Sequence, residues 1–436
     1  MATSLPNLVT RVASLLSGNG GAEYAKRALV RLPLLTFIFV CVFDPADQLL
    51  GAKVWLFVAL WGATCIVGLL ASDEICLSAS LLLSVLLFIT IPLLSILWYY
   101  LADGTQPYAG FGLLKGFLLV SVAIVMVANR VDVLPFLSAT LTILALMTVA
   151  IFVALKLDPA LFEILQRIGS GTGLVVGLFE RSYGEAPMFI QVNVVTSPLL
   201  AISIPYYFDR AMSEPAVRSK LLYLALAAIS VVGMLLVGSR NQAAVALLLT
   251  FLLWPLYTQH VARNMLMGLG ALAVLALPFV GKLRILLNPD EFSNHIKLTL
   301  LGDYAKILSD PLTLLLGQGL GAYYRWSTSG RPDFELTGEN FYFNTEITYE
   351  EMVRYFGLPG AAIMVALLLF PVAHAFLANT NARQRALALG FLAYLGMSAT
   401  NPLLLSSNGM LLFSVMLANT FQISDGDKYS SIRSGP

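Results

Sequence analysis

Charge is scarce along this chain of 436 residues: acidic and basic side chains together make up 12%, against 58% hydrophobic. A soluble domain carries about 25% charged residues, so a globular fold in water is excluded and an integral membrane protein is expected. No tract of clustered lysine and arginine occurs and the formal net charge is +1, which leaves little to attract nucleic acid. Cysteine is nearly missing too. Cys41, Cys65 and Cys76 lie in or beside apolar runs without metal-ligand spacing, and read as small buried hydrophobes rather than ligands or a disulfide. No small-residue cleavage pattern follows a short apolar run near the start. Residues 1–31, weakly amphipathic and then basic, are therefore expected to form a cytoplasmic surface helix leading into the first span.

What the chain has in abundance is long apolar runs. A span needs roughly 20 apolar residues, and twelve stretches qualify: 32–49, 54–71, 77–99, 110–128, 132–155, 191–208, 220–237, 241–258, 264–281, 352–376, 385–401 and 403–421. The first is interrupted by Asp44 and Asp47, and Lys115 near the start of the fourth can snorkel to the interface. The expected fold is all-α: a polytopic integral membrane protein with about twelve transmembrane helices in one domain over 32–421, and a cytoplasmic tail over 422–436. Short-loop arginine and lysine set the orientation. A cytoplasmic N-terminus keeps Arg130, Arg210, Arg218, Lys220, Arg263, Arg383 and Arg385 inside and leaves only Lys53 and Arg240 in short outer loops. Two long segments, about 156–190 and 282–349, then face outward together with the turn at Arg240.

Loops beyond about 12–15 residues are usually functional or disordered, and 282–349 is too aromatic for disorder, with Trp326 and Tyr323, Tyr324, Tyr342 and Tyr349. Within it, 292–309 reads as an amphipathic helix with His295, Thr299, Lys306 and Asp310 along one stripe. The apolar run 311–324, broken by Gly317, Gly319 and Gly321, is too short for a comfortable span and is expected to be re-entrant or to lie in the interface. Asn344 or Thr345 is expected to cap a helix placing Glu346, Glu350 and Arg354 on one face. Segment 156–190 carries Arg167, the run Gly169-Ser-Gly-Thr-Gly173 and Arg181 among carboxylates. That glycine run lacks the lysine of a phosphate loop and reads as a hinge. Arg240, in a turn of a few residues, is held at the membrane surface, either as an interfacial anchor or as a rigid donor for phosphate.

Over roughly residues 191–376 the chain resembles the bacterial lipid-linked glycan polymerases and O-antigen ligases, which are similar to GT-C-like glycan transferases. The resemblance rests on Gly238-Ser-Arg-Asn241, on Asp310-Pro-Leu followed by Leu316-Gly-Gln-Gly-Leu-Gly321, and on Glu346…Tyr349…Tyr355-Phe-Gly-Leu-Pro-Gly360. It implies inverting glycosyl transfer, without metal or cofactor, on the periplasmic face of the bacterial cytoplasmic membrane. Donor and acceptor are polyprenyl-pyrophosphate-linked oligosaccharides, and a chain-length-regulating co-polymerase is an implied partner beside the bilayer itself. Ligases of the family carry histidine where, counting back from Gly357, this chain has Glu346. A carboxylate there is more like the polymerases. It accepts the proton of an attacking sugar hydroxyl, with Glu339 as the fallback base, while Arg240, Arg181 and Arg284 stabilise the departing pyrophosphate. His295 and Tyr349 complete the expected substrate-binding set. Glu346 has the plainer alternative of favouring the helix dipole, and the loop aromatics that of anchoring the interface.

Three rivals remain: an O-antigen ligase acting on a lipid A core sugar, a transporter or flippase, and a non-catalytic assembly scaffold. A transporter usually shows repeats, broken helices and ionisable groups at the midplane, whereas charge here gathers outside the spans. The orientation is directly testable. In a cysteine-free background, cysteines at Ser329 and Asn379 are expected to differ: an impermeant maleimide on intact cells labels the first and spares the second. Equal labelling refutes the arrangement.

Overall fold

The computed structural model describes residues 19–45, 51–70, 77–103, 108–158, 160–161, 163–165, 175–181, 189–237, 240–276, 292–322, 324–325, 341–342, 347–378, 380–400 and 404–433. The helices in chain order are α1 (Asn19–Phe43), α2 (Ala52–Leu70), α3 (Ala79–Asp103), α4 (Tyr108–Leu118), α5 (Val122–Ala128) and α6 (Leu134–Leu157). They continue with α7 (Leu200–Ser213), α8 (Val217–Leu236), α9 (Arg240–Leu253), α10 (Val261–Ala276), α11 (Phe292–Ile307) and α12 (Pro311–Leu316). Last come α13 (Thr348–Leu377), α14 (Ala382–Ser398) and α15 (Ser407–Arg433). Two antiparallel hairpins interrupt this helical architecture: β1 (Val175–Arg181) with β2 (Phe189–Val194), and β3 (Tyr324–Arg325) with β4 (Phe341–Tyr342).

Among the described residues, six helices are long and apolar enough to cross a membrane, the pattern of a multi-pass membrane protein: α2, α3, α4 joined to α5 through a short 3-10 turn, α6, α8 and α13. The other six expected stretches are helical over part of their length. The first stops at Phe43, where Asp44 turns the chain and Lys53 Nζ donates to the Pro45 carbonyl at 3.0 Å. The expected span 191–208 differs most. Ile190, Val192 and Val194 alternate with Gln191 and Asn193, a period of two that builds a strand, and β2 pairs with β1 in a register setting Arg181 opposite Phe189. The helix begins only after Ser197 and Pro198, leaving α7 with 14 residues, or about 21 Å, against a hydrocarbon core of roughly 30 Å.

That short helix is the centre of the bundle. Every residue of α7 from Leu200 to Tyr207 is buried, polar Ser203 included, while its last turns carry Asp209 and Arg210. It packs against α6, α8 and α14, and β2 lies on α6. Around this centre, α13 packs on α3, α12 and α14, while α15 packs on α4 and α5.

The connectors collect at two ends. At one, Ser197 Oγ donates to Gln242 Oε1 at 3.0 Å, Asn241 Nδ2 to Thr400 Oγ1 at 3.0 Å, and Tyr349 Oη to the Leu395 carbonyl at 2.9 Å. The turn before α7, the first turns of α9 and α13 and the end of α14 therefore meet. At the other, Arg383 lies 3.5 Å from Asp132 and 3.9 Å from Asp209, whose second oxygen accepts from Tyr257 at 3.0 Å. Gln422 Nε2 donates there to the Met126 and Val131 carbonyls at 2.9 and 3.2 Å. The boundaries expected at residues 31 and 421 fall inside α1 and α15.

The long α13 is not continuous. Gly357 has φ 67° and ψ 170°, a conformation essentially confined to glycine that costs other residues about 1–3 kcal/mol, and a Cβ there would overlap the Leu315 carbonyl oxygen. Gly357→Ala is therefore expected to lower the melting temperature of the purified protein sharply. Gly396→Ala, where a Cβ meets nothing within 4 Å inside a helix, is expected to leave it unchanged or raise it, by up to about 1 kcal/mol. Equal melting of the two variants would remove the kink from the account.

Candidate functional site at the head of the long helix

The kink at Gly357 and the proline two residues on strip α13 of backbone hydrogen bonds. Pro359 has no N–H to give to the Tyr355 carbonyl four residues back, and the turn at Gly357 takes Leu358 N–H away from the Arg354 carbonyl. Both carbonyls find partners far away in sequence. Ser95 Oγ of α3 donates to the Tyr355 oxygen at 2.6 Å, and Gln318 N–H donates to the Arg354 oxygen at 2.6 Å. Ser95 Oγ also accepts from Leu320 N–H at 2.7 Å, and Trp98 Nε1 donates to the Gly317 carbonyl at 2.9 Å.

Residues 317–322 thus run as irregular chain, buried between α3 and the head of α13, rather than reaching across the membrane. Backbone of this kind is tolerated at membrane depth only where protein covers it. Gly317 has φ 77° and sits directly on the Tyr355 carbonyl and Gly357 nitrogen, so only a residue without Cβ permits the approach. Asp310 caps the α12 turn before it, accepting from Thr313 N–H at 2.8 Å, and these hydrogen bonds hold its carboxyl below the usual range.

An ion pair closes the arrangement. Arg354 and Glu351 are 0% and 1% exposed, with Arg354 Nη2 2.5 Å from Glu351 Oε1 and Nε 3.4 Å from Oε2. The remaining guanidinium donors reach Gln318 Oε1 at 3.3 Å and the Ala322 carbonyl at 3.0 Å, and the group lies 4.5 Å over the Tyr355 ring. Tyr304 of α11 donates its hydroxyl to Glu351. Four segments, α11, residues 317–322, α3 and α13, are locked by this one polar network. A buried pair is costly to desolvate and earns its place through geometry; the fixed element here is the head of α13.

Of the expected site residues, the structure describes Arg181, Arg240, His295 and Tyr349. Glu346, Glu339 and Arg284 lie outside the described residues, as do the glycine run at 169–173 and the expected caps Asn344 and Thr345. Arg181 ends β1 and Arg240 opens α9. His295 is exposed on α11. Tyr349 is half-buried with its hydroxyl committed to the Leu395 carbonyl, joining α13 to α14. Helix α13 starts at Thr348 behind Ile347, without a side-chain cap. Arg354 does not pair with Glu350 on an outer stripe: it turns inward to Glu351, one position nearer, because its own carbonyl and ring neighbour already face residues 317–322. Glu351, Tyr304, Gln318 and Ser95 carried no signal in local periodicity beyond the three alternating glycines.

The chain matches no family model, and no curated protein matches it. Removing one partner of a buried pair costs about 3–5 kcal/mol, and removing both costs much less than twice that. Glu351→Gln and Arg354→Met are each expected to lower the melting temperature of the detergent-solubilised protein strongly, and the double substitution to recover part of the loss. Additive losses in that cycle would mean the two side chains act separately.

Proposed function

We propose that this protein polymerises polyprenyl-pyrophosphate-linked oligosaccharide repeat units into a cell-surface polysaccharide, an exopolysaccharide or O-antigen, at the periplasmic face of a bacterial cytoplasmic membrane. The observation that carries the reading is the contact between two of the pieces on which the family resemblance rests. Residues 316–321 and 355–360 are separated in sequence, yet Gly317 seats on Tyr355 and Gly357. The order of the motifs along the chain thus corresponds to a single packed unit. The turn at α9, which Arg240 opens, and the first turn of α13, which Glu346 precedes by two residues, gather at the same end of the bundle.

In this reading the acceptor sugar hydroxyl attacks the anomeric carbon of the donor while the bond from that carbon to the pyrophosphate oxygen breaks. Configuration at the carbon inverts. Glu346 takes the hydroxyl proton, and Arg240, Arg181 and Arg284 receive the charge released on the polyprenyl pyrophosphate. Glu351 is not the base, since Arg354 and Tyr304 already hold its two oxygens. About twelve crossings with both termini in the cytoplasm complete the proposal.

The lipid-linked species that accumulate decide it. Deletion of the gene is expected to leave single repeat units on lipid. Long unattached chains would indicate the ligase, and unit accumulation on the cytoplasmic leaflet a flippase. General-base catalysis contributes about 10²–10⁴ in rate. Glu346→Gln is therefore expected to reduce polymer sharply at unchanged membrane level, with single units accumulating. Wild-type polymer with Glu346→Gln and none with Glu339→Gln would move the base to Glu339; normal polymer with both would end the mechanism.

A further inference from the structure

Helix α11 carries two separate apolar stripes, and among the described residues only one of them is covered. At about 100° per residue, Leu300, Tyr304 and Ile307 share a face, and this is the face against Ile347 and Glu351 at the head of α13. Leu298, Leu301 and Ala305 lie roughly 120° around the helix. These are exposed, the leucines at 52% and 41%. His295, Gly302 and Lys306 occupy the remaining third and are exposed as well, with Lys306 paired to Asp303 at 3.7 Å. A helix floating in water has no reason to keep a second apolar stripe, and one enclosed by protein has no reason for the polar third.

The level of the helix follows from its contact. Beyond the kink, the 20 residues 358–377 of α13 are about 30 Å long, which matches the roughly 30 Å of hydrocarbon core. Gly357 therefore lies near the hydrocarbon edge, and the first turn of α13, before the kink, among headgroups. Helix α11 is fastened to that first turn. Helix α12 is fastened nearer Gly357 and leaves Leu312, Leu314, Leu315 and Leu316 exposed in succession. Leu358 of α13, beside it, is exposed too, so the uncovered apolar surface is continuous with that of a membrane-crossing helix.

We infer that α11 and α12 form a membrane-surface ledge: the stripe Leu298–Leu301–Ala305 and the leucines of α12 enter the acyl region of one leaflet, with His295, Gly302 and Lys306 toward water. The occupant of the exposed stripe is lipid acyl chain, as for other interfacial amphipathic helices, whose apolar faces sink about 5–10 Å. This does not depend on the polymerase chemistry.

The test uses the full chain with Cys41, Cys65 and Cys76 replaced by alanine. Single cysteines at Leu298, Leu301, Ala305 or Leu312, and at His295, Gly302 or Lys306, carry a nitroxide label in vesicles of phosphatidylcholine and phosphatidylglycerol. Collision with oxygen, which concentrates in acyl chains, is compared with collision with a water-soluble nickel chelate. The first set is expected to gain oxygen contact and lose nickel contact several-fold relative to the second, with helical periodicity. Nickel reaching both sets equally overturns the ledge. So does protection of the first set from both reagents, which would place a protein segment or a second copy over the stripe. If one labelled variant fails to reach the membrane, its neighbour on the same stripe supplies the reading. Because no turnover is measured, a failed polymerase assay leaves this result standing.

Discussion

Backbone carbonyls without a helical partner are the constraint around which this end of the molecule is built. A proline and a left-handed glycine within three residues of each other release the Tyr355 and Arg354 oxygens inside a chain that is mostly apolar. An unmet polar group in hydrocarbon costs several kcal/mol, so something must come to them. Ser95 comes from α3 and Gln318 from the irregular segment. Once residues 317–322 are drawn in, their own backbone needs partners, which Trp98, Ser95 and Arg354 supply. The guanidinium then needs a counter-charge, met by Glu351, and Glu351 accepts from Tyr304. Each polar group is present because the previous one demanded it.

The opposite end follows the same logic with less burial. Arg383, in the first turn of α14, stands between Asp132, in the connector before α6, and Asp209, toward the end of α7, and Tyr257, in the 3-10 turn after α9, donates to Asp209. Among the described residues these ion pairs lie at the two ends of the bundle, while the polar groups buried between them are neutral, such as Thr142 with Tyr207 and Ser203.

Much of this was legible in the residues and some was not. The interruption at Gly317, Gly319 and Gly321 is visible because glycine announces non-helical backbone locally, whereas the expected helix runs on through Gly357-Leu-Pro-Gly360 into the next span and the structure breaks it at Gly357. The amphipathic helix over 292–309 was visible too, although its two apolar stripes partly cancel and blur the pattern. Residues 191–194 fall inside the expected span 191–208 because hydropathy averaged over a window hides an alternation of two. The run that becomes α7 reads as part of a crossing, since an apolar stretch such as Leu200–Tyr207 reads the same in hydrocarbon and in a protein core. Spacing sets Arg354 on a face with Glu346 and Glu350 and cannot reveal its pairing with Glu351, because the side of the helix that meets Tyr304, 47 residues away, leaves no mark in local periodicity. The bond from Ser95 to Tyr355 is the clearest case: a serine in an apolar run is unremarkable until its acceptor is known.

That same bond sets a schedule. Ser95 and Tyr355 are 260 residues apart, and chains grow at about 5–20 residues per second, so α3 leaves the ribosome roughly 13–50 s before its partner does. During that interval the hydroxyl can return to a carbonyl of its own helix, and α3 can stand in the bilayer without α13. The final polar lock therefore belongs to the end of synthesis. Truncated or stalled chains would hold their early helices in place with the head of the bundle still open, and membrane proteases would meet the irregular segment before it is covered.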